Sequence, residues 1–122
     1  MDSFSVQLNS VIDGYSKELA RATTNAMDDV AKESVKTLKQ TSPKRKGKYA
    51  RGWTIKRQRG SNGVPTITVH NKVYQLTHLL ENGHRIVNKK GEWGRVNGIK
   101  HIEPVEQWAN NELPRRIEEA LE

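Results

Sequence analysis

Apolar residues are sparse along this chain, and their spacing changes from one stretch to the next. From residue 3 to about 39 they fall at Leu8, Val11, Ile12, Tyr15, Leu19, Ala22, Ala26, Val30 and Leu38, mostly in steps of three or four. That period predicts one long helix. Asp2 or Ser3 would cap its start, and Lys32, Lys36 and Lys39 suit the negative end of its dipole. Gly14 inside it costs about 1 kcal/mol without breaking it. Such a helix would run roughly 50 Å. Its stripe is thin and rich in alanine, so part of it is expected to pack on a neighbouring chain.

Thr41-Ser42-Pro43 should end the helix, because a proline disfavours helical geometry in the residue before it. A basic loop follows at 40–48. Residues 49–59 then alternate, with Tyr49, Trp53 and Ile55 on one face and Lys56 and Gln58 on the other. Gly60-Ser61-Asn62-Gly63 is a suitable hairpin connection to a return strand at about 64–70, with Ile67 and Val69 facing inward and Pro65 implying an edge position. The predicted hairpin spans about 49–70. Residues 73–82 read as a short helix with Val73, Leu76, Leu79 and Leu80 on its buried side, Tyr74 among its core residues and Gly83 as a left-handed stop. Residues 84–98 form a polar, glycine-containing loop or arm, with the option of a second hairpin around Lys89-Lys90-Gly91-Glu92. Pro104 is placed as the first residue of a C-terminal helix, which Pro114 should kink or interrupt near Asn110 and Asn111. The predicted fold is a single α+β domain over 1–122, a small antiparallel sheet covered by helices.

Composition sharpens this picture. Only 34% of the 122 residues are hydrophobic, which suggests either apolar surface completed between subunits or a part of the chain that projects into solvent. There is no cysteine, so neither a disulfide framework nor a thiolate site exists. No apolar run approaches a bilayer span and no secretory signal is evident, so a soluble protein made in the cytoplasm is expected, with no membrane partner. The net charge of +7 is concentrated in one stretch. Residues 34–80 carry eleven bases and no acid, among them Lys44, Arg45, Lys46, Lys48, Arg51, Lys56, Arg57 and Arg59. Such a segment is either a solvated basic loop or a footprint for a polyanion.

Candidate chemistry is thin. His78, Glu81, His84 and His101 include good metal ligands, but the helical zinc motif needs histidines at i and i+4. His78 and His84 would lie about 120° apart around a helix, with Gly83 between them. Glu81 is better read as pairing with a base or capping backbone groups. No catalytic triad, nucleophile elbow or phosphate-cradling glycine motif is present, so catalytic, cofactor and metal sites are all expected to be absent. Tyr49 and Trp53, although interleaved with basic residues, occupy the strand's apolar face and are read as core. Contact by the lysines and arginines alone would be independent of sequence and sensitive to salt.

One series of segments resembles a known family. Thr41-Ser42-Pro43, the following Gly47-Lys48-Tyr49-Ala50-Arg51-Gly52-Trp53, Val73 through His84 with its Leu-Leu-Glu-Asn-Gly-His end, Gly94-Arg95-Val96, and His101-Ile102-Glu103-Pro104-Val105 together look like the small neck or tail-completion proteins of long-tailed bacteriophages. These are head–tail joining or minor tail components. The resemblance runs over roughly residues 5–121, with Pro114 as a departure. It implies a virion structural protein without enzymatic activity, forming a homo-oligomeric ring between head-closure or connector proteins and the tail tube or tail terminator. Double-stranded DNA would pass through the channel. The alternative is a non-sequence-specific nucleic-acid-binding protein using residues 44–59.

Overall fold

The computed structural model describes residues 6–8, 17–44, 47–60, 64–88 and 91–122. Its elements run β1 (Val6–Leu8), α1 (Lys17–Thr41), α2 (Lys48–Arg51), β2 (Trp53–Gln58), β3 (Thr66–Asn71), a single 3-10 turn (Tyr74–Leu76), α3 (Thr77–Asn82), β4 (Gly83–Asn88), β5 (Gly91–Asn97) and α4 (Ile102–Ala120). The α+β prediction is met.

The long helix forms on the stripe read from the sequence, but it starts later. Thr23, Ala26, Met27, Val30, Ala31, Ser34 and Leu38 are its buried residues, recurring with the helical period. Ser34 settles its hydroxyl on the Val30 carbonyl at 2.7 Å. The 25 described residues of the helix, Lys17–Thr41, span about 37 Å. Val6–Leu8, expected to be helical, is instead a strand antiparallel to β3, with Val6 opposite Val69 and Leu8 opposite Ile67. The backbone groups along that edge of β3 need partners, and a strand supplies them where a helix cannot. Val11, Ile12, Gly14 and Tyr15 lie outside the described residues, as do Arg45, Lys46 and 61–63.

The sheet order is β1-β3-β2. Ile67, Val69 and Asn71 alternate inward on β3, opposite Arg57, Ile55 and Trp53 of β2. Two expectations need correction here. Pro65 does not mark an edge: β3 is the central strand, and the proline lies just before its first residue. Tyr49 is not on a strand, because Gly47 at φ +78° starts the helical turn α2, closed by the Arg51 N–H on the Gly47 carbonyl at 3.0 Å. Tyr49 and Ala50 reach the core from that turn.

Helix α1 covers the sheet and α4 packs along α1. Met27, Val30, Leu38, Tyr49, Trp53, Ile67, Val69, Ile102, Val105 and Ala109 form one buried cluster between them. The Ser42 hydroxyl accepts the Trp53 indole N–H at 2.8 Å, tying the end of α1 to β2. Arg116 of α4 pairs with Glu33 of α1 and with Glu112, and its guanidinium sits 5.6 Å from the Trp108 ring centre. The hydrogen bond from Arg116 holds the Glu33 carboxyl below its ordinary range.

Pro114 does not interrupt the last helix: it lies inside α4, which continues through it to Ala120. The helix tolerates the missing N–H because packing on α1 and the Arg116 network anchor both sides of the proline. Of the two readings of 84–98, the second hairpin is the one the structure has: β4 and β5 pair antiparallel, with an irregularity between Ile86 and Val87.

Candidate functional site

The short segment from Tyr74 to Gly83 joins the hairpin to the rest of the fold. Its buried residues are Thr77 and Glu81, not the leucines. Tyr74, Leu76 and Leu79, expected in the core, are 49%, 39% and 42% exposed, while Leu80 is half-buried against the core. The reason lies at the start of α4. A helix begins with four backbone N–H groups that lack an intrahelical partner. The Glu81 carboxylate accepts three of them, from His101 at 2.8 Å, Ile102 at 2.9 Å and Glu103 at 3.1 Å. The fourth position is Pro104, which has no N–H. Glu81 must therefore face inward, and at helical spacing this turns Leu79 outward. Burial pushes the Glu81 carboxyl up, but the N–H groups of Ile102, His101 and Glu103, with the neighbouring His101 ring, outweigh it and hold the group below the usual carboxylate range.

His101 is buried beside this cap. Its Nδ1 lies 2.7 Å from the Ile99 carbonyl and 3.0 Å from Glu81 Oε1, both acceptors, so Nδ1 carries a proton. Its Nε2 lies 2.8 Å from the Tyr49 hydroxyl. The rings of Tyr49, Trp53 and His101 meet edge to face, with centres 5.5 to 6.4 Å apart. Burial pushes the Tyr49 phenol up to about 12. Asn71, not singled out in the sequence, closes the other side. It donates to the Tyr49 carbonyl and accepts from the Val73 N–H, both at 2.8 Å, a local turn typical of asparagine.

Gly83 ends α3 at positive φ, +82°, as a glycine can, but with ψ 175° it is extended and not the left-handed helical stop expected. A Cβ there would come within 2.4 Å of the Val96 carbonyl oxygen, so the same glycine also permits the close start of the hairpin. Beyond it the surface is apolar again: Val96 is 43% and Ile99 56% exposed. The Ile99 N–H bonds the Leu80 carbonyl at 2.8 Å, which lays this segment along the end of α3. Leu76, Leu79, Ile99 and Val96 thus belong to one region, the 3-10 turn, α3 and the root of the hairpin. Arg95 and Lys100 converge beside it on Asn82, through its carbonyl at 2.9 Å and its side-chain oxygen at 2.7 Å.

The histidines do not assemble. His78 is exposed on α3, and His84 is half-buried on β4 opposite Val96. Among the described residues no group of three or more histidines and carboxylates is arranged to hold a metal. Of the basic segment, Lys44, Lys48, Arg51, Lys56, Arg57 and Arg59 are exposed, and Arg57 pairs with Asp28 of α1. Lys48 and Arg51 lie on α2, and Lys56, Arg57 and Arg59 follow β2 to its far end.

Residues 2–83 match a family model described as "Bacteriophage HK97-gp10, putative tail-component". No curated protein and no solved structure matches. The matched span runs from β1 through α3 and ends at Gly83, so it takes in the three-stranded sheet, the long helix and Glu81 itself. The family agrees with the resemblance carried by Thr41-Ser42-Pro43 and by Val73 through Gly83. The chain belongs to the HK97-gp10-like family of bacteriophage tail components, structural proteins of the virion.

Proposed function

We propose that this tail component is a neck or tail-completion subunit, forming a homo-oligomeric ring that joins the DNA-filled head to the tail. The observation that carries the reading is the exposed apolar region of Tyr74, Leu76, Leu79, Val96 and Ile99 in a chain with so few hydrophobic residues. Monomeric surfaces seldom cluster large apolar side chains without an interaction to serve. Complete burial of a leucine-sized side chain yields about 1.5–3 kcal/mol, and these are already half-covered. Together they would supply on the order of 5 kcal/mol, near the low end of the roughly 4–15 kcal/mol that association costs. A single contact of this kind is weak. A closed ring, in which every subunit makes two contacts, turns it into a stable assembly that forms only above a threshold concentration. Head-closure proteins on one side and tail-tube or tail-terminator proteins on the other would be the partners, with the neck of the virion as the location.

The exposed bases favour a secondary role for the same ring. Lys44, Lys48, Arg51, Lys56 and Arg59 meet no carboxylate among the described residues. They suit loose contact with the phosphates of double-stranded DNA in the channel, or with an acidic partner surface. The rival reading is a free nucleic-acid-binding protein using residues 44–59. It predicts DNA affinity that falls steeply with salt and is lost on charge reversal at Lys44, Lys48 and Arg51.

Native mass spectrometry with negative-stain imaging over a concentration series tests the ring. Particles assembled without this protein should show filled heads and separate tails. A chain that stays monomeric and binds neither head-closure nor tail proteins would overturn the proposal.

A further inference from the structure

The apolar region at α3 has a counterpart at the opposite end of the molecule. Glu81 holds the start of α4 against α3, so the α3 region and the first turn of α4 are neighbours. The last turns of α4 lie 19 residues further on, about 28 Å away along a continuous helix. There Leu121 is 44% exposed, with Ile117 half-buried one turn earlier. Around it stand Glu118, Glu119 and Glu122, all exposed. Glu119 is paired with Arg115, but Glu118 and Glu122 meet no cation among the described residues.

The α3 region carries the complementary charge. Leu76, Leu79 and Ile99 are bordered by Lys72, Arg95 and Lys100, all exposed. Arg95 and Lys100 bond only the neutral groups of Asn82, so their charges are not neutralised by any carboxylate among the described residues. One end of the molecule therefore presents apolar residues beside Lys72, Arg95 and Lys100, with Glu103 and Glu106 lining the same cleft as Lys100, and the other presents Leu121 among Glu118, Glu119 and Glu122.

We infer that the last turns of α4 of one copy, around Leu121, dock on the α3 surface of the next copy, between Leu79 and Ile99. The two surfaces are different and sit at opposite ends of one rigid helix, so they cannot meet within a chain. A two-fold dimer would use the same pair of surfaces twice, each α4 end on the other copy's α3, and would stop at the dimer, whereas a contact made once per pair leaves both surfaces open for the next copy. A contact of this type repeats head to tail and closes into a ring when the rotation per subunit allows. Like-charge repulsion among Glu118, Glu119 and Glu122 keeps the end of α4 from docking on the end of α4. The inference rests on the ring reading above and specifies its subunit contact.

The chain has no native cysteine, which makes a crosslinking test clean. A Leu79→Cys, Leu121→Cys variant of the full chain, oxidised at a concentration where the unmodified protein assembles, should give a ladder of covalent multimers on a non-reducing gel. Each single variant should stop at dimers or stay monomeric. In parallel, Arg95→Glu with Lys100→Glu, and separately Glu118→Lys with Glu122→Lys, should each raise the half-assembly concentration about tenfold or more. The quadruple variant, with both surfaces reversed, should bring it back to within about threefold. If the unmodified chain forms rings but the double-cysteine variant gives no ladder and the charge reversals change nothing, this contact is wrong and the ring reading stands. If the unmodified chain never assembles at any concentration, the ring reading falls and takes this contact with it.

Discussion

Glu81 offers the sharpest test of how this fold is held together. Replacing it with alanine would strip three backbone donors at the start of α4 of their acceptor, at 2.8 to 3.1 Å, in a buried setting. An N-cap loss ordinarily costs about 0.5–2 kcal/mol, and each buried donor left unpaired costs about 1–3 kcal/mol. Because the three share one carboxylate, these values overlap rather than add, and about 3–5 kcal/mol is the expected loss. Glu81→Gln keeps one carbonyl acceptor but no charge, so about 1–2 kcal/mol is expected. The assay is urea unfolding followed by tryptophan fluorescence, with buried Trp53 as the reporter. The linkage sign follows from the direction of the Glu81 shift, which is downward on folding. Its contribution is present above the unfolded carboxylate value, about 4.3, and is lost as pH falls through the folded value. The wild-type chain should therefore lose stability on acidification more steeply than Glu81→Gln. Parallel pH profiles for the two, or a Glu81→Ala chain within about 0.5 kcal/mol of wild type, would refute this account of the cap.

Gly83→Ala forces a side chain into positive φ and against the Val96 carbonyl, so it should lower stability by about 2–4 kcal/mol, read from the urea midpoint. Pro114→Ala restores a helical N–H and should stabilise α4 by about 1–3 kcal/mol; a change of the opposite sign would mean the proline shapes the α1–α4 contact. Leu79 and Leu80 should separate assembly from folding. Leu79→Asp alters unfolding by less than about 0.5 kcal/mol but abolishes oligomers in native mass spectrometry, whereas Leu80→Asp, against the core, destabilises the monomer itself by about 2–4 kcal/mol.

Much of the fold is written locally. The stripe through Ala26, Val30 and Leu38 is a property of consecutive residues, as is the alternation of Ile67 and Val69 and the stop at Gly83; each is enforced by backbone geometry and side-chain period. Tyr49 and Trp53 are legible as core because, with Ile55, they are the large apolar side chains of an otherwise basic stretch. The family resemblance also lives in such short segments. Tertiary structure decided what depends on partners distant in sequence. Val6–Leu8 became a strand only because β3, some sixty residues later, had an edge to fill. Tyr74, Leu76 and Leu79 look like core by composition, yet they face outward because the start of α4 required a carboxylate acceptor from α3. Hydrophobicity alone favours burying leucine over glutamate, but three N–H groups left without an acceptor would cost more than the exposure of one leucine face. That exchange also leaves an apolar surface for a neighbouring subunit, so the part of the molecule that bears on assembly is the part its local pattern described least well.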